Sequence, residues 1–128
     1  MKKIFLLLLI ITSMVFIVCC GSKSKAKNGY SVRKDEQVAY YVRMGLDKKS
    51  VTYSNCTYVI VKGSPNKYYY KANYTISYPN GSSNSLVDYF VWDEDSSSTR
   101  TIPSREYDEI YDDISNKTLD GEIGELKK

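Results

Sequence analysis

Lys67-Tyr68-Tyr69-Tyr70-Lys71-Ala72-Asn73-Tyr74-Thr75-Ile76-Ser77-Tyr78 is the stretch that decides the fold. Tyr68, Tyr70, Ala72, Tyr74, Ile76 and Tyr78 fall on one side of an extended chain; Lys67, Tyr69, Lys71, Asn73, Thr75 and Ser77 fall on the other. Successive strand side chains point to opposite faces, so one apolar and one wet row predicts an antiparallel strand over 67–78. Pro79-Asn80-Gly81-Ser82 then reads as a hairpin turn. Beyond it, 85–93 alternates again, with Leu86, Phe90 and Trp92 on one side and Val87, Tyr89 and Val91 on the other. Upstream, 51–62 carries Cys56, Tyr58 and Ile60 on one face and Thr57, Val59 and Val61 on the other, as a central strand does. Gly63-Ser64-Pro65-Asn66 joins it to the next strand through a turn. Three strands with short connections predict a meander.

Helical periodicity flanks the meander. Val38, Tyr41, Val42 and Leu46 lie on one face of a predicted helix over 31–46, with Ser31 as its cap or Asp35 and Glu36 in a slightly later first turn. Tyr107, Ile110, Tyr111 and Ile114 do the same over 104–117, behind Ser104. The outer side of this second helix is acidic: Glu106, Asp108, Glu109, Asp112 and Asp113. Residues 99–102 read as a short edge strand that Pro103 ends. The expectation is one α+β domain over 31–118, an N-terminal helix, a three- to four-stranded antiparallel meander and a C-terminal helix, with both helices on one face. Residues 119–128 are expected to form a polar, frayed tail. This element order resembles the cystatin-like or nuclear-transport-factor-like roll, a likeness that implies a shape and no activity.

The N-terminus speaks to location. Lys2 and Lys3 precede the uncharged run 4–18, and Cys19-Cys20-Gly21-Ser22 follows. A positive start and a short apolar stretch form an export signal. At 15 residues the run is shorter than the roughly 17–25 a spanning helix needs. Ile17-Val18-Cys19-Cys20-Gly21-Ser22 resembles the lipobox of bacterial lipoproteins, with Cys20 as the modified residue and residues 1–19 as the signal peptide. Cys19 occupies a place that the motif usually gives to Gly, Ala or Ser, so the choice between Cys19 and Cys20 stays open. An uncleaved anchor helix over 4–20 is the alternative. The resemblance implies a lipid anchor on the extracytoplasmic face of the membrane. Residues 20–30, with Lys23, Lys25 and Lys27, are expected to be a flexible, lipidated tether whose lysines rest on anionic headgroups.

Charge is unevenly distributed. Residues 20–71 hold 11 Lys/Arg against 3 Asp/Glu, and residues 72–128 hold 5 against 12. Two arrangements follow: a dipolar molecule with its basic side toward anionic lipid or cell-wall polymer, or halves that interleave and neutralise each other. There is no histidine, which removes Ser-His-Asp and Cys-His catalysis and His-ligated metal sites. No cofactor motif is present, and export argues against a nucleic-acid partner. Asp93, Asp95 and Ser97 have the spacing that opens a calcium loop, but Ser98 and Ser104 stand where Gly and Glu are needed, so a solvated loop is expected. Cys56 is expected to be a buried, inert thiol. The four Asn-x-Ser/Thr matches, at Asn55, Asn73, Asn80 and Asn116, are expected by chance in so polar a chain.

The chain has 13 tyrosines. On the alternation above, Tyr69 points outward beside Lys67 and Lys71, a candidate aromatic-basic binding surface for sugar rings or a protein. The sequence therefore predicts a membrane-anchored, non-catalytic binding or interaction module with an envelope polymer or protein as partner. Two alternatives stand beside it: a carboxylate-based cell-wall enzyme or accessory, and an exclusion lipoprotein that blocks another membrane protein.

Overall fold

The computed structural model describes the backbone of residues 2–127 and the side chains of residues 22–127. The elements are α1 (Lys2–Arg43), a single 3-10 turn (Lys48–Ser50), β1 (Val51–Val61), β2 (Lys67–Ser77), β3 (Ser83–Asp93), β4 (Arg100–Thr101), α2 (Ser104–Ser115) and β5 (Gly121–Leu126). The strands form one antiparallel sheet in the order β4-β3-β2-β1-β5. The class is α+β. Residues 1–19, expected to be a signal peptide, and Cys20, the expected lipidation site, lie outside the described side chains. Among the described residues no helix is long and apolar enough to cross a membrane.

The two helices cover opposite faces of the sheet, not one face as expected. Ala26 and Tyr30 of α1 join Tyr58, Ile60, Tyr68, Tyr70, Phe90 and Trp92 in one core. Tyr107 and Ile114 of α2 join Val59, Tyr69, Val91 and Ile102 in the other. The physical reason lies in the three long strands: β1, β2 and β3 each have apolar side chains of both parities, and both rows need cover. A bulge in β1 lies between Tyr53, opposite Tyr74, and Cys56, opposite Ala72. The extra residue resets the alternation, so odd-numbered Val51 and Tyr53 share a core with even-numbered Cys56, Tyr58 and Ile60.

Two segments read as disordered are built into the fold. Residues 22–30 are helix, not tether: Ala26 is fully buried and the Tyr30 hydroxyl donates to the Ser54 carbonyl at 2.8 Å. The buried stripe of α1 runs through Ala26, Tyr30 and Arg33, while Val42 is 46% exposed. Likewise, Gly121–Leu126 is a strand paired to β1, with Ile123 opposite Val59 and Leu126 buried, not a frayed tail. Its polar composition hid it, because an edge strand gains backbone hydrogen bonds from a neighbour that needs a partner on that side. The second helix begins after Pro103, whose side chain makes no cap; Ser104 does not serve as the cap.

Candidate functional site

Helix α1 is held to the sheet by close approach and by a buried ion pair. A Cβ on Gly29 would stand 2.6 Å from Trp92 Cε3 and closer still to Tyr70 Oη, so glycine sets the distance between helix and sheet. Tyr70 Oη donates to the Ala26 carbonyl at 2.7 Å. Four residues on, Arg33 forms a fork with Asp88: Nε to Oδ2 and Nη2 to Oδ1, both 2.8 Å. The guanidinium also donates to Thr99 Oγ1 at 3.1 Å and Thr101 Oγ1 at 2.6 Å, and it lies over the Phe90 ring. Tyr53 Oη donates to Asp88 Oδ2 at 2.7 Å. Burial alone would lower the Arg33 pKa; the hydrogen bonds and charge of Asp88 outweigh it and hold the pKa above its ordinary value. Neither residue stands out in the sequence. The available signal was Asp88 itself, a carboxylate on the same strand face as Phe90 and Trp92.

Beside this pinned helix runs a groove of about 800 Å³, between α1 and the β1–β5 edge. Lys23, Lys27 and Lys34 line it from α1, with Tyr30 among them. These positions are spaced i, i+4, i+7 and i+11, which puts them on one stripe of a helix. Val51, Tyr53 and Leu126 form its apolar part, and Glu125 is its one acidic lining residue. The hydroxyls of Tyr30 and Tyr53 are engaged with Ser54 and Asp88, so the two rings contribute apolar surface. The Lys34 ammonium sits 4.6 Å from the Tyr30 ring centroid. Among the described residues, these lysines have no ion-pair partner, whereas Lys25, outside the groove, pairs with Glu94 at 3.4 Å.

The three residues expected to form one aromatic-basic surface are divided between two clefts. Tyr69 is buried under α2 at 8% exposure, a correction to its outward, solvent-facing assignment. The alternation had placed it on the right face, but α2 covers that face. Lys67, with Tyr69, lines a small cleft of about 150 Å³ near Arg100, whereas Lys71 lines a different groove of about 400 Å³ with Tyr107, Tyr111, Asp108 and Glu125. Tyr107 Oη is buried without a hydrogen-bond partner among the described residues. The loop after β3 is tied internally: Trp92 Nε1 donates to the Ser96 carbonyl, and Glu94 accepts from Lys25 and Tyr68. Among the described residues no three His, Cys, Asp or Glu side chains gather as a metal site.

Cys56 is 1% exposed. Burial first, and then the charge of Asp88, pushes its thiol up to about 12. Burial likewise raises the Tyr30 hydroxyl to about 12, and raises Tyr53, Tyr70, Tyr74 and Tyr107. The folded chain thus holds protons that an unfolded chain releases at lower pH. Stability from these groups is complete below about pH 9 and falls as pH rises toward about 12. Urea midpoints should be flat near neutrality and drop above about pH 9. Alkylation of Cys56 should be slow in the native protein and fast in urea; rapid labelling of the folded chain would contradict a buried, protonated thiol.

The charge gradient of the sequence becomes a separation in space. The described part of α1 carries Lys23, Lys25, Lys27, Arg33, Lys34 and Arg43 against Asp35 and Glu36. On the opposite face of the sheet, α2 carries Glu106, Asp108, Glu109, Asp112 and Asp113 against Arg105. No protein family, curated protein or solved structure matches this chain.

Proposed function

We propose that this chain is a lipid-anchored, extracytoplasmic and non-catalytic binding module. The lipid is carried at Cys20, the basic α1 side lies toward the anionic membrane surface, and the acidic α2 side faces a partner in the envelope. The observation that carries this reading is the opposite charge of the two helices on opposite faces of one sheet. Lys23 follows Cys20 by three residues, so the basic side is the one next to the anchor. Surface potential of the cytoplasmic type attracts such lysines by about 1 kcal/mol each, and anionic lipid on the outer side acts by the same physics. Blocking a neighbouring membrane protein is one form that such an interaction takes.

One observation favours a second reading. Asp108 and Glu125 line the same groove beside α2, an arrangement that a carboxylate-based cell-wall enzyme would need. Both side chains are exposed, however, and lack the contrasting environments that separate an acid from a base in such pairs.

The anchoring is tested by Cys20→Ala. The variant should leave the membrane fraction or accumulate as unprocessed precursor, while the native protein should gain a diacylglyceryl-sized mass with residues 1–19 removed. A cleaved Cys20→Ala product that stays on the membrane would overturn the anchor.

A further inference from the structure

We infer that the groove between α1 and the β1–β5 edge is a binding site for the headgroup of an anionic phospholipid. The inference rests on the anchoring proposed above for the source of its ligand, and on the groove alone for its chemistry. Three lysines that have no ion-pair partner among the described residues, Lys23, Lys27 and Lys34, line the groove together with an apolar floor, the exposed edges of the mostly buried Tyr30, Val51 and Leu126. A small soluble anion would use the lysines and leave that floor wet. An amphiphile uses both: its phosphate meets the ammonium groups, and its glycerol and first methylenes cover the apolar part. The volume of about 800 Å³ falls within the range of small-molecule sites. With four lysines counted to Lys127 and Glu125 as the opposing charge, the lining selects against cations and zwitterions with an exposed ammonium.

The stripe also sets an orientation. At 1.5 Å per residue, Lys34 lies about 16 Å along the axis from Lys23. An upright helix would bring only Lys23 to the headgroup layer. A helix lying along the surface brings Lys23, Lys27 and Lys34 to it together. The Arg33–Asp88 fork and the Gly29 contact hold α1 against the sheet, so the groove is presented as a formed surface rather than as a flexible basic tail.

Native mass spectrometry of the protein extracted from membranes in detergent tests this, with phosphatidylglycerol, phosphatidylcholine and soluble glycerol phosphate as probes. Phosphatidylglycerol adducts should exceed phosphatidylcholine adducts and glycerol phosphate adducts. Lys23→Gln and Lys34→Gln should each weaken phosphatidylglycerol binding about fivefold, and the triple variant with Lys27→Gln about a hundredfold. Lys25→Gln, outside the groove, should change little. Equal retention of the two lipids, binding of glycerol phosphate as tight as that of the lipid, or an effect of Lys25 equal to that of Lys34 would each overturn the site. The same spectra report the covalent lipid on Cys20. An unlipidated chain that still selects phosphatidylglycerol would remove the anchor and leave the groove standing.

Discussion

Arg33→Ala should lower the stability of this protein by about 3–5 kcal/mol, a large share of the roughly 5–15 kcal/mol that a domain possesses. The substitution leaves the Asp88 carboxylate at 7% exposure with Tyr53 Oη as its remaining side-chain partner, far from water and without an opposing charge. It also removes the two threonine hydroxyl bonds that tie β4 to α1. The loss comes from stranding a buried charge and not from the worth of the pair itself, because two ions must be desolvated to form it. The double variant Arg33→Met with Asp88→Leu should therefore recover most of the loss. Urea unfolding of the three proteins checks this. A single-variant loss below about 1 kcal/mol would mean that water reaches Asp88 and that the fork is not buried in solution.

Gly29→Ala should also destabilise, by about 1–3 kcal/mol net, although alanine is the better helix former by about 1 kcal/mol. The new methyl would meet Trp92 Cε3 at 2.6 Å and Cδ2 at 2.8 Å, and the Tyr70 hydroxyl as well. Neither ring yields cheaply. Tyr70 is fully buried and stacked on Phe90 with centroids 4.5 Å apart, and its hydroxyl is bonded to Ala26. Trp92 is 6% exposed and bonded to Ser96. The helix must then move off the sheet, which disturbs the Arg33–Asp88 geometry one turn away. Asn28→Ala, at the exposed neighbouring position, is the control and should stabilise slightly. Thermal unfolding of the two variants should therefore shift in opposite directions; a stabilised Gly29→Ala would show that the contact between helix and sheet is looser than these distances.

The candidate site was legible only in part. The lysines of 23–27 were visible as charge, and their nearness to Cys20 suggested contact with lipid. Their place on a helical stripe was not visible, because Gly21, Ser22, Ser24 and Asn28 give that stretch the composition of a linker. Ala26 and Tyr30 become helical and buried by packing on Tyr58, Tyr70 and Trp92, and local propensity contains none of those contacts. Lys34 belongs to the groove only once that register is known. Tyr69 failed as a surface residue for a related reason: alternation gives the face of a side chain, and burial depends on what covers that face.

The residues by themselves determined the elements with strong local periodicity. Alternation over 67–78 and 85–93 and the intervening Pro-Asn-Gly-Ser turn placed β2 and β3, and the 3.6-residue period of Tyr107, Ile110, Tyr111 and Ile114 placed α2. Those signals are local, since each residue's partner row lies within a few positions along the chain. The tertiary structure alone decided that the helices cover opposite faces, that Gly121–Leu126 completes the sheet, that a bulge reconciles Tyr53 with Cys56, and that Arg33 meets Asp88 across 55 positions. Each of these depends on which distant surface still lacked a partner, a quantity that exists only once the chain is folded.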